Sequence, residues 1–178
     1  MKILEQPTLD ANSFRLRPFL DNDVVAVQQA SADQYISHIT TLAFESTREQ
    51  ALSFIQRQRQ RVIDKTGYSF AIADAGSDLV VGQIGLWLRN ADRGRASIGY
   101  WIAKEHRGRG IITRALETLS IWGLAHPGIH RLELYVEPWN LASWHAAQAC
   151  GFEREGLLRG WEIINGKPKD LYMYSRLS

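Results

Sequence analysis

The 178 residues carry 21 Lys and Arg against 19 Asp and Glu, with 45% hydrophobic residues, 22% charged residues and a net charge of +2. Such a length suits one domain with a full core, and so small a charge gives no argument for nucleic acid as the main partner, so no direct nucleic-acid contact is expected. No apolar run nears the roughly 20 residues that span a bilayer, the opening MKILEQPTLD has no apolar leader segment, and the lone Cys150 excludes an internal disulfide; a reducing, cytoplasmic setting is therefore expected, with no membrane partner.

Residues 13–19, SFRLRPF, alternate Phe14 and Leu16 with Arg15 and Arg17 and predict a first strand. A helix is predicted over 22–31, with Asp21 or Asn22 as its cap. A second is predicted from near Ser46 to about Asp64, because Ser46 and Glu49 have the spacing of a capping box. Ala51, Phe54, Ile55 and Val62 form its apolar side. Arg57, Arg59, Arg61 and Lys65 form a basic series, which reads as a solvated face, with contact to an acidic partner as the alternative. Strands follow over 68–74 and 79–89 across the turn Ala75-Gly76-Ser77-Asp78, and Asp92-Arg93-Gly94 leads into a strand over 97–103.

Ile112, Ala115, Leu116, Leu119 and Gly123 recur at helical spacing over 110–125, until His126-Pro127-Gly128 stops the helix. Residues 131–136 alternate Leu132, Leu134 and Val136 with Arg131, Glu133 and Tyr135. Asn140 caps a short helix over 141–150, and Gly151 ends it as a left-handed stop. Cys150 follows an apolar helical run and is expected to be buried packing rather than a nucleophile. Two last strands, over 152–164 and 170–177, turn at Asn165-Gly166. The pattern, strands first and then βαβαββ, predicts one mixed α/β domain over residues 1–178.

The stretch 96–115, ASIGYWIAKEHRGRGIITRA, holds the chemistry. A strand there runs through a charged turn into glycines and a helix start, where bare amides at the positive end of a helix dipole suit a phosphate-bearing ligand. A P-loop needs Lys followed by Ser or Thr after its second glycine, and Ile111-Ile112-Thr113 stands there instead. A Rossmann turn would read Gly108-x-Gly110-x-x-Thr113 with Glu137 as the acid, yet it lacks the third glycine and follows four strands. A plain turn that carries two glycines is the remaining alternative.

Arg107-Gly108-Arg109-Gly110-Ile111, after the strand Gly99-Tyr100-Trp101-Ile102, resembles the acyl-CoA motif Q/R-x-x-G-x-G/A of the GNAT acetyltransferases. Asn140-x-x-Ser143 and Gly151-Phe152 follow in that family's order and spacing. The opening LRPFLDNDV, Trp161-Glu162-Ile163-Ile164-Asn165-Gly166 and Asp170-Leu171-Tyr172-Met173-Tyr174-Ser175 resemble the RimJ/RimL-type branch, whose members are protein N-terminal acetyltransferases. Two positions depart from the family: Ile112 ends the glycine motif, and Ala147 stands where many members carry a tyrosine acid.

The resemblance implies a single-domain GNAT fold, a mostly antiparallel sheet splayed between two central parallel strands and flanked by about four helices. It implies acetyl-CoA as co-substrate, no metal, and direct transfer to a primary amine. Ile102 would hydrogen-bond the acyl or pantetheine portion through its backbone. Amides of Arg107, Gly108, Arg109, Gly110, Ile111, Ile112 and Thr113 would hold the pyrophosphate, with added charge from Arg107 and Arg109. Asn140 is a helix cap by its own pattern, and a cofactor contact by the resemblance.

Ser143 is implied as the acid that protonates the leaving thiolate. Glu162 is implied to activate or orient the amine, with Trp161 and Ile163 giving it an apolar setting. Tyr135, Trp139, Trp144 and Trp161 either wall the acceptor site or pack the core. At pH 7.4 an α-amine of pKa ~7.8 is roughly a quarter neutral, and a lysine amine of pKa ~10.4 only about 0.1%. A single modest base therefore suits a peptide N-terminus, such as that of a ribosomal protein, or a small low-pKa amine. Antibiotic amines, a non-catalytic acyl-CoA-binding regulator and a homodimer stay open.

Overall fold

In the computed structural model, residues 5–178 are described, and eight strands among them form one sheet in the order β1-β2-β3-β4-β5-β6-β8-β7. The strands are β1 (Leu9–Ala11), β2 (Phe14–Pro18), β3 (Gly67–Asp74), β4 (Val80–Trp87), β5 (Arg95–Ile102), β6 (Arg131–Val136), β7 (Glu153–Ile164) and β8 (Lys167–Leu177). Residues 1–4, the start of the segment read as lacking a leader, lie outside the described residues. All neighbouring strands pair antiparallel except β5 and β6. That sheet excludes the Rossmann alternative, which needs a run of parallel strands.

The helices are α1 (Val24–Ala30), α2 (Gln34–Ile39), α3 (Arg48–Ile63), α4 (Ile111–Leu124) and α5 (Leu141–Ala149). Strand alternation divides the core. Leu132, Leu134 and Val136 of β6 join Ile98 and Ile102 of β5 under Ala115, Leu116 and Leu119 of α4. On the other face Ala71, Val80 and Trp101 pack with Val27, Phe54 and Ile55 of α1 and α3. No helix among the described residues is long and apolar enough to cross a membrane.

Several boundaries differ from expectation. The first helix opens as a 3-10 turn, Asp21–Asp23, and neither Asp21 nor Asn22 caps it. Asp23 is instead buried, its carboxylate accepting two hydrogen bonds at 2.9 Å from the buried Arg17. The box that starts α3 is Thr47 with Gln50, one residue later than Ser46 with Glu49. Ser46 is occupied elsewhere: it is buried, its hydroxyl donating to the Ala43 carbonyl at 2.6 Å. The basic side of α3 is only partly a solvated face, because the Arg61 guanidinium stacks on Trp87, 4.6 Å from the ring centroid. The short β1 and α2 carry no pattern long enough to predict. Asn165 and Gly166 turn the last hairpin with φ of 51° and 69°, as their dipeptide predicts.

Candidate active site

After β5 the chain makes a 3-10 turn, Lys104–His106, and reaches Gly108 at φ 76° and Gly110 at φ 69°. A side chain in that left-handed conformation costs about 1–2 kcal/mol. A Cβ built on either glycine meets nothing within 4 Å, so the turn has open space above it. Gly110 caps α4 and offers no side-chain acceptor. The amides of Ile111, Ile112 and Thr113 therefore remain for a ligand, at the positive end of the helix dipole. Bare amides with open space above them fit a pyrophosphate.

Beside this cradle the sheet comes apart. Arg95, Ala96 and Ser97 of β5 pair with Arg131, Leu132 and Glu133 of β6, and there the ladder ends. Trp101 faces Gln83, and the Ala103 N–H donates to the Val81 carbonyl at 2.9 Å. The antiparallel alternation then aims the N–H and C=O of Ile102 away from β4, into the gap. The Ile102 carbonyl accepts Arg107 Nε at 2.9 Å. Its N–H faces the gap as a donor.

A cavity of about 290 Å³ occupies this place. Tyr35, Ile36 and Ile39 of α2 form one wall, Tyr100, Trp101 and Ile102 of β5 another. The turn contributes residues 106–112, and the start of α5 contributes Trp139, Asn140, Ala142 and Ser143. The fold thus gathers Ile102, Arg107, Gly108, Arg109, Gly110, Ile111, Ile112, Asn140 and Ser143 around one opening. Thr113 stands outside the lining, its carbonyl accepting the buried Cys150 thiol at 3.2 Å. Burial pushes that thiol up to about 11, so Cys150 packs and is no thiolate at neutral pH.

The two arginines of the turn differ. Arg107 is braced between the Ile102 carbonyl and the carboxylate of Asp33. Asp33 in turn caps α2 by accepting the Tyr35 N–H at 2.9 Å. Arg109 is exposed and donates to the Glu105 carbonyl at 3.2 Å, so its charge faces solvent at the mouth.

On α5, Asn140 Oδ1 accepts the Ser143 N–H at 3.2 Å, as its capping pattern predicts. Ser143 is half-buried, and its carbonyl accepts the Tyr100 hydroxyl at 3.3 Å across the cavity. Burial pushes the Tyr100 phenol up to about 12, so it stays protonated at any working pH. Ala147 is fully buried in the core, with no hydroxyl to supply. Trp144 packs against the same core, and its buried indole N–H has no partner among the described residues.

Glu162 is not beside Ser143 in the cavity lining. It lies exposed on β7, the outermost strand, between Trp161 and Ile163, which are themselves 55% and 64% exposed. The apolar setting expected for it is absent, because β7 ends the sheet and among the described residues no further strand pairs with its outer edge. Trp161 stacks on Tyr135 with centroids 5.8 Å apart. Tyr135 donates to Glu133 Oε2 at 2.9 Å, and the buried Glu133 also accepts Arg131 Nε at 2.8 Å. Burial, and then Glu133, push the Tyr135 phenol up to about 12.

The contribution of α2 escapes a reading by pattern. Tyr35 donates to Glu137 Oε2 at 2.9 Å and meets Trp139 edge-on at 5.0 Å. Burial, and then Glu137, push its phenol well above the ordinary tyrosine range. So α2 is tied to the end of β5 through Asp33 and Arg107, and to the end of β6 through Tyr35 and Glu137. The one local signal is Asp33 two residues before Tyr35, a cap spacing, and six residues give no periodicity to go with it. Among the described residues no group of three or more His, Cys, Asp or Glu side chains is placed to hold a metal ion.

A family model described as an acetyltransferase (GNAT) domain matches residues 13–153. The chain is 29% identical to the uncharacterized N-acetyltransferase p20 of Bacillus licheniformis over 170 residues, which cover 96% of each chain. The RimJ of Mycobacterium smegmatis, solved in complex with a CoA-disulfide, superposes with a TM-score of 0.82 at 25% identity, covering 97% of this chain and 87% of its own. The microcin C7 self-immunity acetyltransferase MccE, solved with acetyl-CoA and AMP, gives a TM-score of 0.83 at 23% identity and 94% coverage of both chains.

Proposed function

The chain belongs to the GNAT acetyltransferase family and is an N-acetyltransferase, and on that premise we propose that it moves the acetyl group of acetyl-CoA directly to the α-amine of a protein or peptide N-terminus. One observation carries the reading: the glycine cradle and Ser143 open into a single cleft at the splay of β5 and β6. The cradle suits the pyrophosphate, and the cleft beyond it suits the pantetheine arm. That RimJ and MccE were solved with CoA-type ligands supports this donor. The RimJ likeness supports a protein N-terminus, a ribosomal protein among the candidates.

In the transfer the neutral amine attacks the thioester carbonyl, the C–S bond breaks, the amine loses a proton and the thiolate gains one. The Ile102 N–H, aimed into the gap, is a donor for the carbonyl oxygen as charge builds there. Ser143 Oγ is the proposed proton source for the thiolate. Glu162 would work from its exposed strand by orienting the incoming amine, or by taking its proton through water. An α-amine, already about a quarter neutral near pH 7.4, asks least of such a remote base. A reducing, cytoplasmic compartment fits the buried free thiol.

Thiol release from acetyl-CoA, measured with an amine panel, tests the proposal. Peptides with free N-termini should outpace lysine peptides with blocked N-termini, polyamines and aminoglycosides. Turnover confined to the small amines would replace the protein acceptor with a small-molecule one. Binding of acetyl-CoA without turnover on any amine would make the chain an acyl-CoA-binding regulator.

A further inference from the structure

The strand register places a second structure around the splay, on the face opposite α4. Ser97 of β5 stands level with Glu133 of β6, so Gly99 comes level with Tyr135 on the two sides of the gap. Gly99 also pairs with Gly85, and Ser97 with Trp87. The Trp87 indole lies flat over these glycines. A Cβ on Gly85 would sit 2.2 Å from its benzene ring, and one on Gly99 would sit 3.0 Å from its Nε1. Two strands have therefore given up side chains to let one indole reach the edge of the gap.

The upper face of that indole is covered as well. The Arg61 guanidinium lies 4.6 Å from the ring centroid, a cation–π contact. Arg61 Nε is fixed by Gln58 Oε1 at 3.1 Å, and Gln58 is held by Gln83 Nε2 at 3.1 Å. Gln83 Oε1 accepts the Trp101 indole at 2.6 Å, so the brace runs into the cleft wall itself. With both faces covered, what half-exposed Trp87 offers is its pyrrole edge, and its N–H donates to no other described residue. Across the gap stand Tyr135 and its stacked partner Trp161.

We propose that Trp87, clamped between Gly85 and Gly99 below and Arg61 above, donates its indole N–H to the carbonyl next to the reacting amine, so that this channel takes amines that begin a peptide main chain. This rests on the N-terminal reading and names a residue that enforces it. A rigid donor beside the reaction path costs little ordering when it engages the acceptor. A simple alkylamine gains nothing from it.

The test compares wild type and Trp87→Phe on a short peptide and on a matched amine lacking the first carbonyl, with acetyl-CoA as donor. The phenyl ring keeps an aromatic plate over the glycines and removes the donor, worth about one hydrogen bond. The peptide KM should rise about three- to tenfold, while the KM for acetyl-CoA and the rate on the carbonyl-free amine stay level. Wild type should itself prefer the peptide by a similar factor once each rate is divided by the neutral fraction of its amine, which the missing carbonyl lowers on its own, a comparison that needs no variant to fold. Equal effects on both acceptors, or no wild-type preference between two amines it does use, would overturn the role of Trp87. Failure of wild type on every peptide would instead overturn the N-terminal reading on which it rests.

Discussion

Gly110 joins two properties that substitution can separate. Its φ of 69° is a left-handed conformation, and a Cβ on it would meet nothing within 4 Å in the free protein. Gly110→Ala should therefore cost only the conformational strain, about 1–2 kcal/mol. In a chain of this size that lowers Tm by about 3–6 °C. Gly110→Asn should cost less, because asparagine visits the left-handed region with less penalty. Both variants add a Cβ in the space above the Ile111, Ile112 and Thr113 amides. Displacing the pyrophosphate from one charge-assisted hydrogen bond costs about 1.5–3 kcal/mol, which is roughly tenfold to hundredfold in affinity. Calorimetric titration of acetyl-CoA beside thermal unfolding measures the two effects independently. The expected outcome is similar weakening in both variants, with the larger loss of Tm in Gly110→Ala. Wild-type affinity in Gly110→Asn would refute a pyrophosphate at this turn, and strain alone would then explain the glycine.

Ser143→Ala should lower kcat more than tenfold with little change in the KM for acetyl-CoA, since Asn140 caps α5 through the Ser143 backbone and not its side chain; an unchanged kcat removes Ser143 as the acid. Glu162→Gln should lower kcat with a peptide acceptor while the KM for acetyl-CoA stays level, and an unchanged kcat removes Glu162 from the transfer. Glu155 is held down to about 2 by Arg131, whose guanidinium meets it at 2.6 and 2.8 Å, and then by Ser175. A carboxyl lowered in the folded state contributes stability above its unfolded pKa of about 4.3, and loses it as the pH falls toward 2. The Tm difference between wild type and Glu155→Gln should accordingly be full at pH 6 and shrink between about pH 4.3 and 2; a difference constant over that window would show that the ion pair contributes nothing.

The elements that announced themselves are those whose residues carry their own local reason. Strand β6 alternates because one face meets α4 and the other carries Arg131, Glu133 and Tyr135. Asn140 caps α5 in the structure because a side-chain oxygen three residues before an amide has little else to bind. The cap of α3 was harder, because Ser46 with Glu49 and Thr47 with Gln50 are both valid boxes. The choice fell to Thr47 once Ser46 was drawn inward, its N–H donating to Ser31 Oγ at 2.8 Å. Arg61 looked like one more solvated arginine, and only the fold brings Trp87 beneath it.

The sequence by itself determined the glycine cradle on which the donor half of the proposal rests. Two glycines, a helix start and their order along the chain are local properties, and backbone amides need no distant partner to bind a phosphate. The acceptor half was decided by the tertiary structure. Gly85 and Gly99, Arg61 and Trp87, Tyr35 and Glu137 are far apart in the chain and meet only because the sheet has one register and opens at one place. The exposure of Glu162 is of the same kind: its neighbours in sequence are apolar, and whether they enclose it depends on what packs over β7.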